Sequence, residues 1–267
     1  MAVEPRLWVD GHPATKAYLL QMAAVNYGAV TSFGYAQGGV RGLDMHLERL
    51  AASCRELFSC DLDKSLAVKW IAHAVQALDQ AWVRVTVTGS DMSLRAPESV
   101  EGLRVGVWVS GPSSPLPDGQ AVRSIRHLRE LPHLKHLGTT GIIHARRQAR
   151  LEGFDDALLT GEVGMILEGT LWNVGFVRGN TVVWPTGLML DGVTRRLIVK
   201  GLDQAGIPQT SEVVTLSDLK AYDAAFLCNA ATPAASIDRI DAHAFAGNPQ
   251  MIQRLRDAWT SQPVQLL

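Results

Sequence analysis

The stretch from residue 134 to residue 173 reads LKHLGTTGIIHARRQARLEGFDDALLTGEVGMILEGTLWN. Lys135 stands near its start, after a β-like run, and a helical pattern then ends at Gly153. Glu168 follows 33 residues after Lys135, in an otherwise apolar strand expected at 165–169. Because a carboxylate in an apolar strand needs a polar partner, the stretch predicts a polar site built on mixed helices and strands.

Outward from this stretch, strands and helices mix without a strict βαβ repeat, which favours an α+β fold class over a doubly wound sheet. Residues 13–25 show no clear period and receive no assignment. The expected strands are 6–9, 82–88, 103–109, 156–160, 165–169, 173–177, 181–184 and 224–228, with a hairpin within 27–42. The expected helices are 43–57, 66–81, 140–152, 192–205, 218–222 and 249–261, with Ser217 capping the helix at 218–222.

The segment SGPSSPLPDGQ, residues 110–120, is the best linker candidate because it is rich in proline, serine and glycine. It predicts an N-terminal α+β domain at residues 1–110 and a linker at 111–120. A C-terminal α+β domain that carries Lys135 is then expected at 121–267.

Composition excludes several classes of function. The chain has 267 residues, 47% of them hydrophobic, a formal net charge of −1 and no long basic run, so neither nucleic acid nor an anionic membrane is an expected partner. No secretory signal is visible in residues 1–13, and no apolar run is long enough for a transmembrane helix. The three cysteines lack a C-x-x-C spacing, which fits a reducing cytoplasm.

Several common site motifs are absent. The chain contains neither G-x-G-x-x-G after a strand nor G-x-x-x-x-G-K-[ST], and it lacks a G-x-S-x-G elbow. The eight histidines are scattered, so we expect no metal site.

A set of motifs in fixed order carries a resemblance to a known family. The set comprises His46-Leu47-Glu48-Arg49-Leu50, Lys135, Asp155-Asp156-Ala157-Leu158, Glu168 with Asn173, and Gly192-Val193-Thr194-Arg195. It resembles the class IV aminotransferases, the fold type IV pyridoxal 5′-phosphate (PLP) enzymes, over about residues 6–241. That group includes branched-chain aminotransferase, D-amino acid aminotransferase and aminodeoxychorismate lyase. The resemblance implies their two-domain α+β fold and, by analogy, a homodimer.

The resemblance also implies a cofactor and its ligands. Lys135 would form a Schiff base with PLP and move protons at the substrate Cα. Glu168 would face the pyridine nitrogen, and Arg49 would clamp the phosphate. Val193 and Thr194 would bind the phosphate at a helix N-terminus.

Two further sites follow from the same resemblance. The loop at residues 229–232, through Ala230 and Ala231, matches a second phosphate contact. Arg84 aligns with a position that helps to bind a substrate carboxylate. Each site residue also has a purely structural interpretation. Lys135 would be a lysine at a strand end, Glu168 would form a surface ion pair, and Arg49 would lie on a solvated helix face.

Departures from the family pattern leave the reaction open. Ala29 replaces a usual aspartate, Thr140 stands where branched-chain enzymes carry a tyrosine, and Ala230 replaces a serine or threonine. Transamination between an amino acid and a 2-keto acid is the leading hypothesis. The alternatives are a 4-amino-4-deoxychorismate lyase, which the sequence Leu134-Lys135-His136-Leu137 resembles locally, a non-catalytic binder of PLP or a metabolite, and an unassigned α+β domain.

Overall fold

The computed structural model describes residues 4–267, so the first three residues of the segment searched for a secretory signal lie outside it. The chain divides into two compact units. The first unit contains the chain up to Ser113 together with Leu134–Gly138 and Val264–Leu267. The second unit contains Ser114–His133 and Thr139–Pro263.

Helices and strands are mixed throughout the described residues, as the α+β prediction requires. The helices are α1 Lys16–Ala24, α2 Leu43–Phe58, α3 Lys64–Val75, α4 Thr140–Leu151, α5 Val193–Gln204 and α6 Pro249–Thr260. The strands are β1 Arg6–Val9, β2 His12–Pro13, β3 Ala29–Ala36, β4 Gly39–Arg41, β5 Gln80–Gly89, β6 Leu103–Ser110, β7 Gln120–Arg126, β8 Asp156–Thr160, β9 Ile166–Gly169, β10 Asn173–Arg178, β11 Thr181–Pro185, β12 Gln209–Glu212, β13 Ala224–Cys228, β14 Ala235–Ile240, β15 His243–Ala244 and β16 Val264–Leu266. Short 3₁₀ helices lie at Glu162–Gly164 and Leu216–Ala221.

The first unit is a seven-stranded sheet in the order β16-β4-β3-β5-β6-β1-β2. Side chains alternate between the faces of a strand, and one face of β3, β5 and β6 is almost wholly apolar and buried, with Phe33, Val83, Val85 and Val107 at 0–2% exposure. The apolar stripe of α2 belongs to the same core. That packing fixes the helix that carries Arg49.

The short segment that contains Lys135 extends this sheet along the start of β3. The Val30 amide donates to the Lys135 carbonyl at 2.8 Å, and the Leu137 amide donates to the Gly28 carbonyl at 2.9 Å. Ala29 and His136 form an antiparallel bridge between them. Lys135 is therefore held by main-chain pairing with a central part of the sheet.

The second unit is a nine-stranded sheet in the order β12-β11-β10-β13-β14-β7-β8-β9, with β15 paired to β14. Parallel pairs (β7 with β8, β14 with β7, β11 with β12) occur beside antiparallel ones, which agrees with the predicted mixed fold. Helices α5 and α6 share an apolar core with one part of this sheet, and α4 packs against β7 and β8.

Most predicted elements are confirmed within a few residues, and the exceptions have local causes. The uncertain stretch 13–25 contains α1, whose N-cap is Thr15. Helix α3 ends at Val75, not at residue 81, because Ala81 is a buried member of β5. The predicted cap Ser217 is wrong, since Thr215 caps the 3₁₀ helix with Asp218 in a capping box.

The domain division at residues 111–120 remains a prediction, but the compact units differ from it in one respect that concerns the site. Leu134–Gly138, with Lys135, groups with the first unit and not with the C-terminal one. The reason is the main-chain pairing with β3, a long-range contact that the order of residues along the chain does not reveal. Among residues 4–267, no helix combines the length and apolar character that a bilayer crossing requires.

Candidate active site

In the first unit, Thr31 links the two predicted polar residues of α2. Arg49 Nη2 donates to Thr31 Oγ1 at 3.0 Å, and the same oxygen lies 2.7 Å from His46 Nδ1. Thr31 and His46 are almost fully buried, whereas Arg49 is half-buried. His46 and Arg49 are three positions apart in α2, so one helix face presents both side chains to β3.

The electrostatics of this cluster keep His46 neutral. Burial lowers the pKa of His46 well below its usual value, and the positive charges of Arg49 and Lys135 lower it further. His46 is therefore the uncharged member of the polar group that it forms with Thr31 and Arg49.

Strand register assigns Lys135 and Arg84 to the same face of the sheet. Directly opposite residues of an antiparallel pair share a face, and Lys135 lies opposite Val30, whose neighbour on that face of β3 is Ser32. Ser32 is opposite Arg84, which is opposite Trp108. The half-buried residues Ser32, Arg84 and Trp108 thus form a row on the sheet face that also carries Lys135.

Within residues 4–267, no carboxylate pairs with the part-buried Arg84. Burial lowers its pKa, and no neighbouring charge opposes that effect. A guanidinium held out of water without a counter-ion is a ready ligand for an anion.

In the second unit, Glu168 accepts hydrogen bonds from Arg129 and from the main chain of Leu190. Its side chain is 8% exposed, and Oε1 accepts a hydrogen bond from Arg129 Nε at 2.8 Å. Its other oxygen accepts the Leu190 amide at 3.4 Å. Arg129 also donates to the Pro132 carbonyl. Glu168 is consequently a buried, oriented carboxylate, and it does not form the surface ion pair of the purely structural interpretation.

Helix α5 begins at Val193 without a side-chain cap from any described residue. Gly192 occupies the N-cap position, and both Val193 and Thr194 are buried, at 3% and 5% exposure. Amides of a first helical turn cannot bond within the helix, and the helix dipole favours an anion there. The site predicted at Val193 and Thr194 has the donors that a phosphate requires.

The loop at residues 229–232 is a tight turn closed on itself. Asn229 Oδ1 accepts the amides of Ala231 and Thr232 at 2.9 and 2.8 Å. The Ala231 amide, a predicted phosphate donor, is thus already used within the turn. Ala230 lies at its tip and is half-buried.

The predicted residues are divided between the two units. The first unit has Lys135, Arg49 and Arg84, and the second has Glu168, Val193, Thr194, Ala230 and Ala231. Arg129 and Thr31 were missed. Arg129 lies in the β-like run before Lys135, and Thr31 lies in the predicted hairpin within 27–42. Within residues 4–267, no group of histidine, cysteine, aspartate and glutamate has a metal-binding arrangement.

Comparison with known proteins shows which family the chain resembles. The model of the amino-transferase class IV family matches residues 28–240. A curated Synechocystis protein named "Probable branched-chain-amino-acid aminotransferase" is 30% identical over 119 residues, which are 44% of this chain and 39% of the relative. A Methanocaldococcus jannaschii protein provisionally named as the same enzyme is 27% identical over 216 residues, 76% of this chain and 75% of the relative.

A solved structure shares the fold. The branched-chain aminotransferase of Thermoproteus uzoniensis, crystallised with norvaline, superposes with a TM-score of 0.85 at 21% identity, covering 97% of this chain and 94% of that one. Since the family model spans most of the chain, the protein belongs to the class IV aminotransferases.

Proposed function

We propose that the protein is a PLP-dependent aminotransferase that moves an amino group between an amino acid and a 2-keto acid, with Lys135 as the residue that binds the cofactor covalently. The observation that carries the proposal is the fixation of Lys135 by main-chain pairing with β3, on the sheet face of the unpaired Arg84. Family membership supports the same reading.

The chemistry of the available donors fits the cofactor. PLP has an aldehyde, a ring nitrogen and a phosphate, and when bound it supplies an electron sink for the substrate Cα. Lys135 offers an amine to the aldehyde, and Glu168 offers a buried carboxylate to the ring nitrogen. Arg49 and the uncapped amides at Val193 and Thr194 offer cationic and N–H donors to the phosphate.

Glu168 acts by holding a proton on the ring nitrogen. A carboxylate has about four lone-pair sites and can accept hydrogen bonds from several donors at once. The Arg129 ion pair orients Glu168 and favours its charged form. That charge in turn favours a protonated ring nitrogen.

Lys135 acts a second time as the base that moves a proton at the substrate Cα. Its main chain is fixed at Val30 and Gly28 through its own carbonyl and the Leu137 amide, so its amine pivots from a rigid point. Arg84 binds a carboxylate of the substrate, for which its lack of a protein partner suits it.

The assembly and location follow as further proposals. By analogy with the family the enzyme works as a homodimer. Cys54, Cys60 and Cys228 are all free thiols, which supports a reducing cytoplasm.

A lyase of the 4-amino-4-deoxychorismate type is the second candidate. It is favoured by Leu134-Lys135-His136-Leu137 and by Thr140 at the position of the branched-chain tyrosine. Pyruvate release from aminodeoxychorismate, measured beside amino transfer to 2-oxoglutarate, separates the two reactions.

Borohydride trapping tests the covalent role of Lys135. The purified protein is saturated with PLP, reduced and digested, and we expect the label on the peptide that contains Lys135. Lys135→Ala should lose the label and about 10³-fold in amino transfer, whereas the exposed Lys64→Ala should retain both. A label on another lysine, or full activity in Lys135→Ala, would refute the assignment. Bound PLP whose absorbance no amino acid changes would identify a non-catalytic binder instead.

A further inference from the structure

Asn173 and Glu168 both form hydrogen bonds with the main chain of Leu190, one with its carbonyl and the other with its amide. Asn173 Nδ2 donates to the Leu190 carbonyl at 2.8 Å, and Glu168 Oε2 accepts the Leu190 amide at 3.4 Å. Asn173 is 5% exposed and begins β10, opposite Cys228 of β13. Leu190 is only three residues ahead of α5. The two side chains therefore fix the approach to the helix N-terminus.

The lack of a side chain at Gly192 leaves the space that the Asn173 side chain occupies. A Cβ placed on Gly192 would lie 2.0 Å from Asn173 Oδ1. The backbone of Gly192, at φ −69° and ψ 135°, is ordinary extended chain that any residue adopts. Glycine is thus needed for space and not for backbone freedom, because the Asn173 amide fills the place of a side chain.

The turn between Glu168 and Asn173 keeps their spacing constant. The Gly169 amide donates to the Trp172 carbonyl at 2.8 Å, and the Trp172 indole lies against Gly169. Trp172 Nε1 donates to the buried Asp156 at 2.8 Å. A rigid turn carries the carboxylate and the amide on its two ends, so a shift of one is transmitted to the other.

We propose that Asn173 is a positioning residue for cofactor binding: by clamping Leu190 and filling the space at Gly192, it sets the start of α5, so that the Val193 and Thr194 amides meet the phosphate while Glu168 meets the ring. The inference rests on the proposed function. Asn173 acts through its contacts with Leu190 and Gly192, and its effect reaches the phosphate through the main chain of residues 190–194.

Binding of pyridoxamine 5′-phosphate provides the test, because this form lacks the aldehyde and reports non-covalent affinity without turnover. Asn173→Ala leaves the Leu190 carbonyl without its donor and should raise the Kd about tenfold, the effect of one buried hydrogen bond. Gly192→Ala should also weaken binding, by collision with Asn173. The double variant should bind more tightly than Gly192→Ala alone, since removing the amide makes room for the methyl group.

Asn248→Ala is the matched control. Asn248 Oδ1 accepts the Met251 amide at 2.9 Å as the N-cap of α6, in the same unit. Its loss should lower the temperature of unfolding without changing the Kd. If Asn173→Ala fails to fold, the nearly isosteric Asn173→Asp, which keeps an oxygen but loses the donor, takes its place.

The outcomes separate the two proposals. Wild-type affinity in a folded Asn173 variant, or no recovery in the double variant, would overturn the clamp. No binding of pyridoxamine 5′-phosphate or PLP by the wild-type protein would overturn the proposed function. A higher Kd in Asn248→Ala as well would show that general destabilisation, and not the clamp, controls affinity.

Discussion

Thr31 shows how one hydroxyl can organise a charged site. It accepts from Arg49 and is hydrogen-bonded to His46, while its own backbone is locked in β3. Arginine can only donate, and a neutral imidazole can donate or accept, so the Thr31 hydroxyl can satisfy both neighbours with its two lone pairs and its proton. The neutral form also avoids a third positive charge beside Arg49 and Lys135.

The lowered pKa of His46 predicts a pH dependence of folding. In the unfolded chain the imidazole takes up a proton below about pH 6.5, whereas in the folded protein burial, then Arg49 and Lys135, resist protonation. The unfolded state therefore binds more protons in this window. The free energy of unfolding should fall as the pH decreases below about 6.5, with a limiting slope of about 1.4 kcal/mol per pH unit for one proton.

Urea denaturation of His46→Gln at pH 5, 6 and 7 checks this expectation. The variant should lose that part of the slope, whereas the exposed His12→Gln should keep it. An unchanged slope in His46→Gln would mean that other groups cause the pH dependence.

The sequence predicted which residues belong to the site better than it predicted which residues contact them. Motif order predicted Lys135, Glu168 and Arg49 as cofactor ligands, and their burial and contacts fit the proposed roles. Arg129 could not be found this way, because pairing with Glu168 brings together residues 39 positions apart. Nor could the occupation of the Ala231 amide by Asn229 be predicted, since it depends on the closure of the turn.

At the scale of elements, Asp156 joins helix α4, strand β8 and the turn that follows Glu168. Its carboxylate accepts hydrogen bonds from Arg146 of α4, from Thr170 and from Trp172. Burial alone would raise the pKa of Asp156, but the hydrogen bonds and charge of Arg146 outweigh it and lower the pKa. The carboxylate stays ionised and holds three elements together.

Asp156→Asn should lower the free energy of unfolding by about 3 kcal/mol, since breaking a buried pair leaves an uncompensated charge. Glu162→Gln is the control, because its ion pair with Arg126 is solvent-exposed on both sides and should cost less than about 1 kcal/mol. Chemical denaturation at neutral pH measures both. Equal losses in the two variants would show that the Asp156 network has no special weight. On lowering the pH, the contribution of Asp156 is lost only below its usual pKa, which separates it from the effect of His46.

The predicted boundaries of helices and strands are wrong where the local sequence pattern disagrees with long-range strand pairing. Residues 76–81 continue the helical composition of α3, yet Ala81 pairs with Tyr35 in the sheet. Helix α1 carries apolar residues on all sides, with Leu19 and Leu20 exposed, so no period marks it. Strong amphipathic stripes, as in α2, were predicted almost to the residue because burial of one face determines them.

At the scale of the whole molecule, the first unit is closed by segments from three parts of the chain. Strand β16 comes from the C-terminus and forms the edge of the sheet beside β4. Neither this pairing nor that of Leu134–Gly138 could be read from the sequence, because each is short and its partner is distant along the chain. Composition and motif order predicted the fold class, but such non-local pairs determine which unit a segment joins.

Removal of Val264–Leu267 tests the importance of this closure for the helix that carries Arg49. Gln265 Oε1 accepts the Asp44 amide in the first turn of α2 at 3.1 Å, and the Gln265 carbonyl lies where a Gly39 side chain would be. Truncation after Pro263 should lower the free energy of unfolding by about 1–3 kcal/mol, at roughly 0.5–1.5 kcal/mol for each lost hydrogen bond. Gln265→Ala removes only the contact with Asp44 and should show a smaller part of that loss. The midpoint of urea denaturation measures both, and faster amide exchange in β4 should accompany the truncation alone. An unchanged midpoint after truncation would show that the first unit folds without its C-terminal strand.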